Sequence, residues 1–292
     1  MKIKELAALY IADKRQHRRA NTVEGYESAL KCHVLPRWGE LSIEDIDPED
    51  IQDWIDDFDK PGAAHKAYKT LRQVIRWSIK SFRLKIFDPT TYGFDLPSIP
   101  ECVREAMETR DISRFLRGIW GADFEAAVLC SVSLGLRPGE ACGLMWSDID
   151  LRTGKVEVRR SRQDVRGGVM DFDVKTALSR RTLFLPDFAR KRLKTIGKGK
   201  TGYLIGEARP SAIKRKLKSF CRKNGLPWVS MKNLRHTYST ALWEAGIELS
   251  TISMLLGHST EDMLQKHYLV MRKSICDPIQ QSFEKLIIRA GV

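Results

Sequence analysis

Two arginines, a lysine, a histidine and a tyrosine occupy four short motifs between Leu136 and Tyr268. The motifs are Leu136-Arg137-Pro138-Gly139-Glu140, a hairpin-like run around Lys175, Lys232-Asn233-Leu234-Arg235-His236, and Leu256-Gly257-His258 with Tyr268 ten residues beyond His258. Each residue type suits one task in breaking and remaking a phosphodiester bond. Guanidinium forks clamp the non-bridging oxygens of a phosphate and neutralise charge that grows in the transition state. A lysine can protonate a departing 5′ oxygen, and a tyrosine oxygen can attack phosphorus. The bond energy is then held in a 3′-phosphotyrosyl link, so the set calls for no metal, no nucleotide and no other cofactor. A free tyrosine has a pKa of about 10, and positive charge nearby must help it ionise.

Each position also has a plainer reading. Arg137 alone would be a surface arginine; the surrounding turn chemistry argues for a fixed fork at a helix start, with Glu140 in support and not as a catalyst. For Lys175 the competitors are a lysine that only touches phosphate, or Arg180 or Arg181 acting as the acid. Lys232 precedes Arg235 by three residues and shares its helical face, so both can reach one phosphate. His236 points about 100° away from that face and is no substitute. His258 after Gly257 can cap a helix, or bond the phosphate or the tyrosine oxygen. Tyr203 and Tyr238 are the other tyrosines to weigh against Tyr268.

Composition narrows the partner. The 292 residues hold 50 Lys plus Arg against 37 Asp plus Glu, a formal net charge of +13, which suits a polyanion. From Ala208 to Arg235 there are nine Lys or Arg and no acid. The clusters around Arg15, Arg18 and Arg19, around Arg159, Arg160 and Arg162, and around Lys214 and Arg215 should supply salt-dependent, sequence-blind phosphate contacts. Six cysteines (Cys32, Cys102, Cys130, Cys142, Cys221, Cys276) show no C-x-x-C spacing, which fits free thiols and no metal template. With no apolar leader and no run approaching the ~18 apolar residues of a membrane span, a cytoplasmic protein is expected.

The elements that must position these residues fall in two blocks. Residues 1 to 97 read as four helices: 4–14, one beginning near Asn21 or Thr22, one opened by Asp47-Pro48, and 63–83. Leu35-Pro36-Arg37-Trp38-Gly39 should stop the second. Residues 98–107, with prolines just before and within them, read as a linker. Residues 108–274 begin with two helices, the second (123–134) rich in Ala, Val, Leu and Cys, and Arg137 then sits at a turn. Residues 155–160 alternate, Gly167-Gly168 marks a turn, and 181–186 read as a closing strand. The tail, 275–292, carries Ile279, Phe283, Leu286 and Ile287 on one stripe.

In combination these motifs resemble the tyrosine recombinases of the phage-integrase family, over nearly the whole chain. Leu-Gly-Leu-Arg-Pro-Gly-Glu, Val174-Lys175-Thr176 with Ser179-Arg180-Arg181, Arg235-His236-Thr237 and Leu256-Gly257-His258 each match a family box. Thr22-x-x-x-Tyr26 and Leu35-Pro36-x-x-Gly39 match its helical domain. The resemblance implies a mainly α fold with a small antiparallel β-sheet: an N-terminal SAM-like core-binding domain, then a mixed α/β catalytic domain whose sheet turn carries the lysine. It implies Arg137, Lys175, Lys232, Arg235, His258 and Tyr268 as the catalytic set, with Tyr268 the nucleophile. Lys232 departs from the usual histidine; type IB topoisomerases carry lysine there. The implied activity is site-specific cutting and rejoining of duplex DNA for a mobile element. The implied partners are double-stranded recombination sites, a homotetramer on synapsed DNA, in which the tail docks on a neighbour, and accessory DNA-bending or excision factors. A nucleoid-associated protein without a membrane anchor follows, and without the extra N-terminal arm-binding domain of larger integrases. A type IB topoisomerase and a catalytically dead DNA-binding relative are the alternatives.

Overall fold

The computed structural model describes residues 1–100, 107–174, 180–226, 228–257, 279–285 and 287. Lys175, His258 and Tyr268 lie outside the described residues. The chain divides into two compact units, Met1–Cys102 and Val103–Val292.

In the first unit α1 (Ile3–His17), α2 (Ala20–Ala29), α3 (Leu35–Trp38), α4 (Pro48–Asp56) and α5 (Pro61–Phe82) surround one apolar core. Ile3, Leu6, Trp38, Ile51, Ile55, Leu71 and Ile75 are fully buried there. Asp47 accepts the Glu49 N–H at 2.9 Å and Pro48 follows it, so α4 starts where an acidic cap and an early proline place it. Leu35-Pro36-Arg37-Trp38-Gly39 does close the second helical stretch, but at Gly39 and not at its proline. A π-helical turn, Leu30–Val34, intervenes, and the Leu35 N–H donates to the Leu30 carbonyl five residues back. Widening the turn accommodates a proline that lacks an N–H, and the helical course runs on to Trp38.

The second unit holds α6 (Thr109–Gly118), α7 (Glu125–Leu134), α8 (Pro138–Gly143), β1 (Ile149–Asp150), β2 (Lys155–Val158), β3 (Arg160–Val165), β4 (Gly168–Asp173), β5 (Arg181–Phe184), α9 (Asp187–Ile196), α10 (Pro210–Lys223), α11 (Met231–Glu244) and α12 (Leu249–Leu256). α7, rich in Ala, Val, Leu and Cys, is buried on every side, Glu125, Ser131 and Ser133 included, and forms part of the core. β1, β2 and β5 form an antiparallel sheet in that order, with Val156 opposite Leu183. β3 and β4 form a hairpin of their own, closed by Arg166-Gly167. The Gly167-Gly168 turn therefore belongs to a second sheet, and Lys175 lies in the connection from β4 to β5.

The hairpin packs along α8. A Cβ on Gly143 would come within 3.0 Å of the Arg162 backbone nitrogen, and one on Gly139 would meet the Ser161 hydroxyl. Of the tail stripe, Leu286 lies outside the described residues; Ile279, Phe283 and Ile287 are buried in their own unit, and the Phe283 ring lies 5.2 Å from that of Tyr238.

Candidate phosphate-binding site

The site is built at two helix ends. α7 finishes at Gly135 in the left-handed region, φ +61°, where a Cβ would stand 2.5 Å from the Tyr238 ring. That turn delivers Arg137 to the N-cap of α8, with Pro138 as the first helical residue. Glu140, at the third helical position, accepts the Arg137 backbone N–H at 2.9 Å, and its other oxygen takes Arg137 Nη1 at 2.8 Å. Arg181, the first residue of β5, reaches the same carboxylate with both terminal nitrogens, at 3.2 and 2.9 Å. Arg235 rises from the second turn of α11, whose start is capped by Ser230 accepting the Asn233 N–H. Its Nη1 donates to the Gly135 carbonyl at 2.9 Å.

The second helix end is the C-terminus of α12, where Gly257 turns the chain at φ +64°. Three consecutive carbonyls there accept from three arginines. Leu255 takes Arg181 Nε at 3.0 Å, Leu256 takes Arg235 Nη2 at 2.8 Å, and Gly257 takes Arg137 Nη2 at 2.5 Å. The last carbonyls of a helix have no partner within it, and the helix dipole is negative at that end. Guanidinium groups satisfy both. His258 is the next residue in sequence.

Electrostatics follow from the balance of charges. Burial pushes the Glu140 carboxyl up, but the Arg181 fork and the Arg137 contacts outweigh it and hold the group below the usual carboxylate range. Burial, and then repulsion from Arg137 and Arg181, lower Arg235 to about 10, with Glu140 pulling the other way. Three guanidinium groups thus face one carboxylate and a helix end. The remaining positive charge is what an incoming phosphate would neutralise.

Lys232 occupies the first turn of α11, exposed, one turn before Arg235, and makes no hydrogen bond or ion pair with the described residues. Two alternatives weighed on sequence lose their chemistry. Tyr238 is wholly buried against Phe283. Tyr203 donates its hydroxyl to Asp171 at 2.5 Å, and that bond, ahead of burial, raises its pKa. Arg181, considered as an acid, has its side chain 6 % exposed and its nitrogens engaged inside the protein. Arg180 is exposed, 3.9 Å from Asp173.

The basic residues divide by their neighbours. Lys214 and Arg215 are exposed on α10. Arg160 is anchored on buried Asp148 at 2.7 Å, and Arg162 pairs with Asp171 at 3.0 Å while its guanidinium lies 3.9 Å from the Tyr203 ring centroid. Arg159 pairs with Glu157. In the first unit Arg15 pairs with Glu27 at 2.6 Å, Arg18 is exposed and Arg19 is half-buried. Sequence reasoning misses a cleft at the end of α10, lined by Arg215, Lys218, Arg222, Leu226 and Trp228; its signal is the exposed Trp228 beside a one-sign charge run. Among the described residues no group of three His, Cys, Asp or Glu could hold a metal ion, and no helix is long and apolar enough to cross a membrane.

Comparison with known proteins agrees with this architecture. Residues 121–274 match the model of the phage integrase family, and residues 2–58 match the phage integrase N-terminal SAM-like domain. The chain is 25% identical over 288 residues to the tyrosine recombinase XerC-like protein of Caldanaerobacter subterraneus subsp. tengcongensis, covering 84% of this chain and 73% of that one. It is 24% identical over 264 residues to the integrase of Mycobacterium phage FRAT1, covering 85% and 78%. Among solved structures, the Tn1549 transposon integrase in complex with a circular intermediate DNA superposes with a TM-score of 0.77 at 18% identity, over 98% of this chain and 99% of that one. A lambda integrase dimer bound to a COC′ core site gives 0.67 at 17% identity, over 94% and 97%. With a family model spanning more than half of its length and the fold to match, the chain belongs to the phage integrase family of tyrosine recombinases.

Proposed function

We propose that this protein is a site-specific DNA recombinase that cuts and rejoins strands through a 3′-phosphotyrosyl intermediate, integrating or excising a mobile element. The observation that carries this reading is the convergence of Arg137 and Arg235 on the main chain at Gly135, Leu256 and Gly257, immediately before His258. Two forks held there with surplus positive charge suit the two non-bridging oxygens of one scissile phosphate.

In this reading Tyr268 attacks phosphorus and its oxygen replaces the 5′ oxygen of the leaving strand. Lys175 gives that oxygen its proton, Arg137 and Arg235 bind the phosphoryl oxygens, His258 bonds the phosphate or the tyrosine oxygen, and Lys232 adds charge in place of a histidine. Rejoining is the same step reversed by a new 5′ hydroxyl, without metal or ATP. Residues 1–97 act as the core-binding domain, 98–107 as linker, 108–274 as the catalytic domain and 275–292 as the tail. Relatives that are solved on DNA, one of them a lambda integrase tetramer bound to a Holliday junction, support a DNA partner and assembly of protomers on it. Exposed Lys214 and Arg215 on α10 are suited to phosphate contact.

Covalent capture tests the reading. The protein is incubated with a nicked half-site from the DNA flanking its own gene, and wild type is compared with Tyr268→Phe on a denaturing gel. A protein-linked 3′ strand that disappears in Tyr268→Phe is expected. Binding without an adduct in wild type would mark a DNA-binding relative that has lost catalysis.

A further inference from the structure

We propose that Arg181 is a positioning residue for strand cleavage: it braces Glu140 on one side and the Leu255 carbonyl on the other, and so holds the Arg137 fork in place. This rests on the reading that Arg137 binds the scissile phosphate. The Arg137 fork leans on Glu140 and on the Gly257 carbonyl. Arg181 grips both of those supports, through the same carboxylate and through the carbonyl two residues before Gly257. It thereby ties together β5, α8 and the end of α12.

The Arg181 side chain is nearly as buried as the carboxylate it holds, 6 % and 3 % exposed, and its Nε and both terminal nitrogens are engaged by Glu140 and the Leu255 carbonyl, which assigns it to support. Its fork also keeps Glu140 ionised. A protonated Glu140 would accept less strongly from Arg137, and the fork facing the phosphate would lose its fixed angle. Misplacing one catalytic group by an ångström costs about 10²-fold in rate. The structural alternative is that Arg181 merely neutralises a buried acid, with no consequence for the reaction beyond stability.

The experiment is single-turnover cleavage of the nicked half-site at saturating DNA, for Arg181→Gln, Glu140→Gln and the double variant, over pH 5.5 to 9. Half-site affinity is measured alongside. The expected result for Arg181→Gln is a rate about 10²-fold lower with affinity changed less than about threefold, the signature of a lost orientation. Its rate should also fall off at a higher pH on the acid side than the wild-type rate does, because Glu140 without its fork is protonated at a higher pH. The double variant should be no slower than the slower single, since both changes break one brace. Arg181→Lys keeps charge but cannot reach both supports, and should remain slow.

Should Arg181→Gln fail to fold, Arg181→Lys and Glu140→Gln carry the test alone. Rate losses in them without a matching fall in affinity support the brace, and wild-type rates overturn it. Losses that multiply in the double variant, or that fall equally on affinity, also overturn it. A wild type that forms no adduct overturns the recombinase reading and the brace with it, which separates that failure from failure of the brace alone.

Discussion

At the scale of single residues, the site depends on a missing Cβ and on carbonyl oxygens that no side chain provides. Gly135 has no Cβ because the Tyr238 ring and a Leu256 methyl occupy its place, and its φ of +61° lies where other residues are strained. We expect Gly135→Ala to lower the free energy of unfolding by about 2–3 kcal/mol, read from denaturant melts. Gly121→Ala, at φ +85° with open space around it, should cost only about 1 kcal/mol, as strain without a clash. Glu140 sets a pH dependence. Its folded pKa lies below its unfolded value, so the stability it contributes is present above the ordinary carboxylate pKa and is lost as pH falls through the folded value. Thermal melts from pH 6 to pH 3 should show that loss in wild type and a shallower one in Glu140→Gln. Arg137 is legible in the sequence because a proline, a glycine and an acid at fixed offsets spell a helix start, and Arg235 because a histidine and a threonine follow it in a family box. Their partners are not, because carbonyl oxygens carry no sequence signature.

At the scale of elements, the β3–β4 hairpin does more than connect strands. Asp164 accepts the Ser211 N–H at 2.8 Å and its hydroxyl at 3.2 Å, at the first turn of α10. Arg209, the residue before that helix, offers no side-chain cap, so a carboxylate from another element supplies one. Asp164→Ala should cost about 1 kcal/mol of stability in denaturant melts. It should also weaken half-site binding, since α10 carries exposed Lys214 and Arg215. Replacing those two together by alanine should flatten the slope of log K against log salt by about 2, near one for each phosphate no longer neutralised, with little dependence on DNA sequence. A smaller change would mean that they face away from the DNA. The long helices of the first unit are readable from their apolar spacing, α4 down to its capping aspartate, whereas α9 and α10 are not read as helices from the sequence. The hairpin is not, because alternation in 155–160 shows that a strand exists and says nothing about which strand it joins. Pro36 misleads in the same way: a proline signals a break, and only the neighbouring backbone shows that a wider turn has absorbed it.

At the scale of the whole molecule, each unit has a core of its own. The first buries Trp38, Tyr10 and a set of isoleucines and leucines without help from residues beyond 100. Residues 1–100 made alone should therefore unfold in one cooperative transition, followed by circular dichroism at 222 nm; a gradual, non-cooperative melt would show that the second unit is needed for it to fold. The tail adds to the second core through Ile279, Phe283 and Ile287, so these three members of its stripe are covered by their own chain. The row of carbonyls at Leu255, Leu256 and Gly257 also limits what evolution can alter. Leu255 and Leu256 are both buried, so exchange there is confined to apolar side chains that fit the core, yet any exchange that keeps the helix leaves the oxygens where they are. Adding or removing one residue within α12 would turn that row by about 100° and hand every arginine the wrong oxygen. What descent must preserve at this helix is therefore its reading frame in space, and relatives should differ there by exchange of residues and never by insertion.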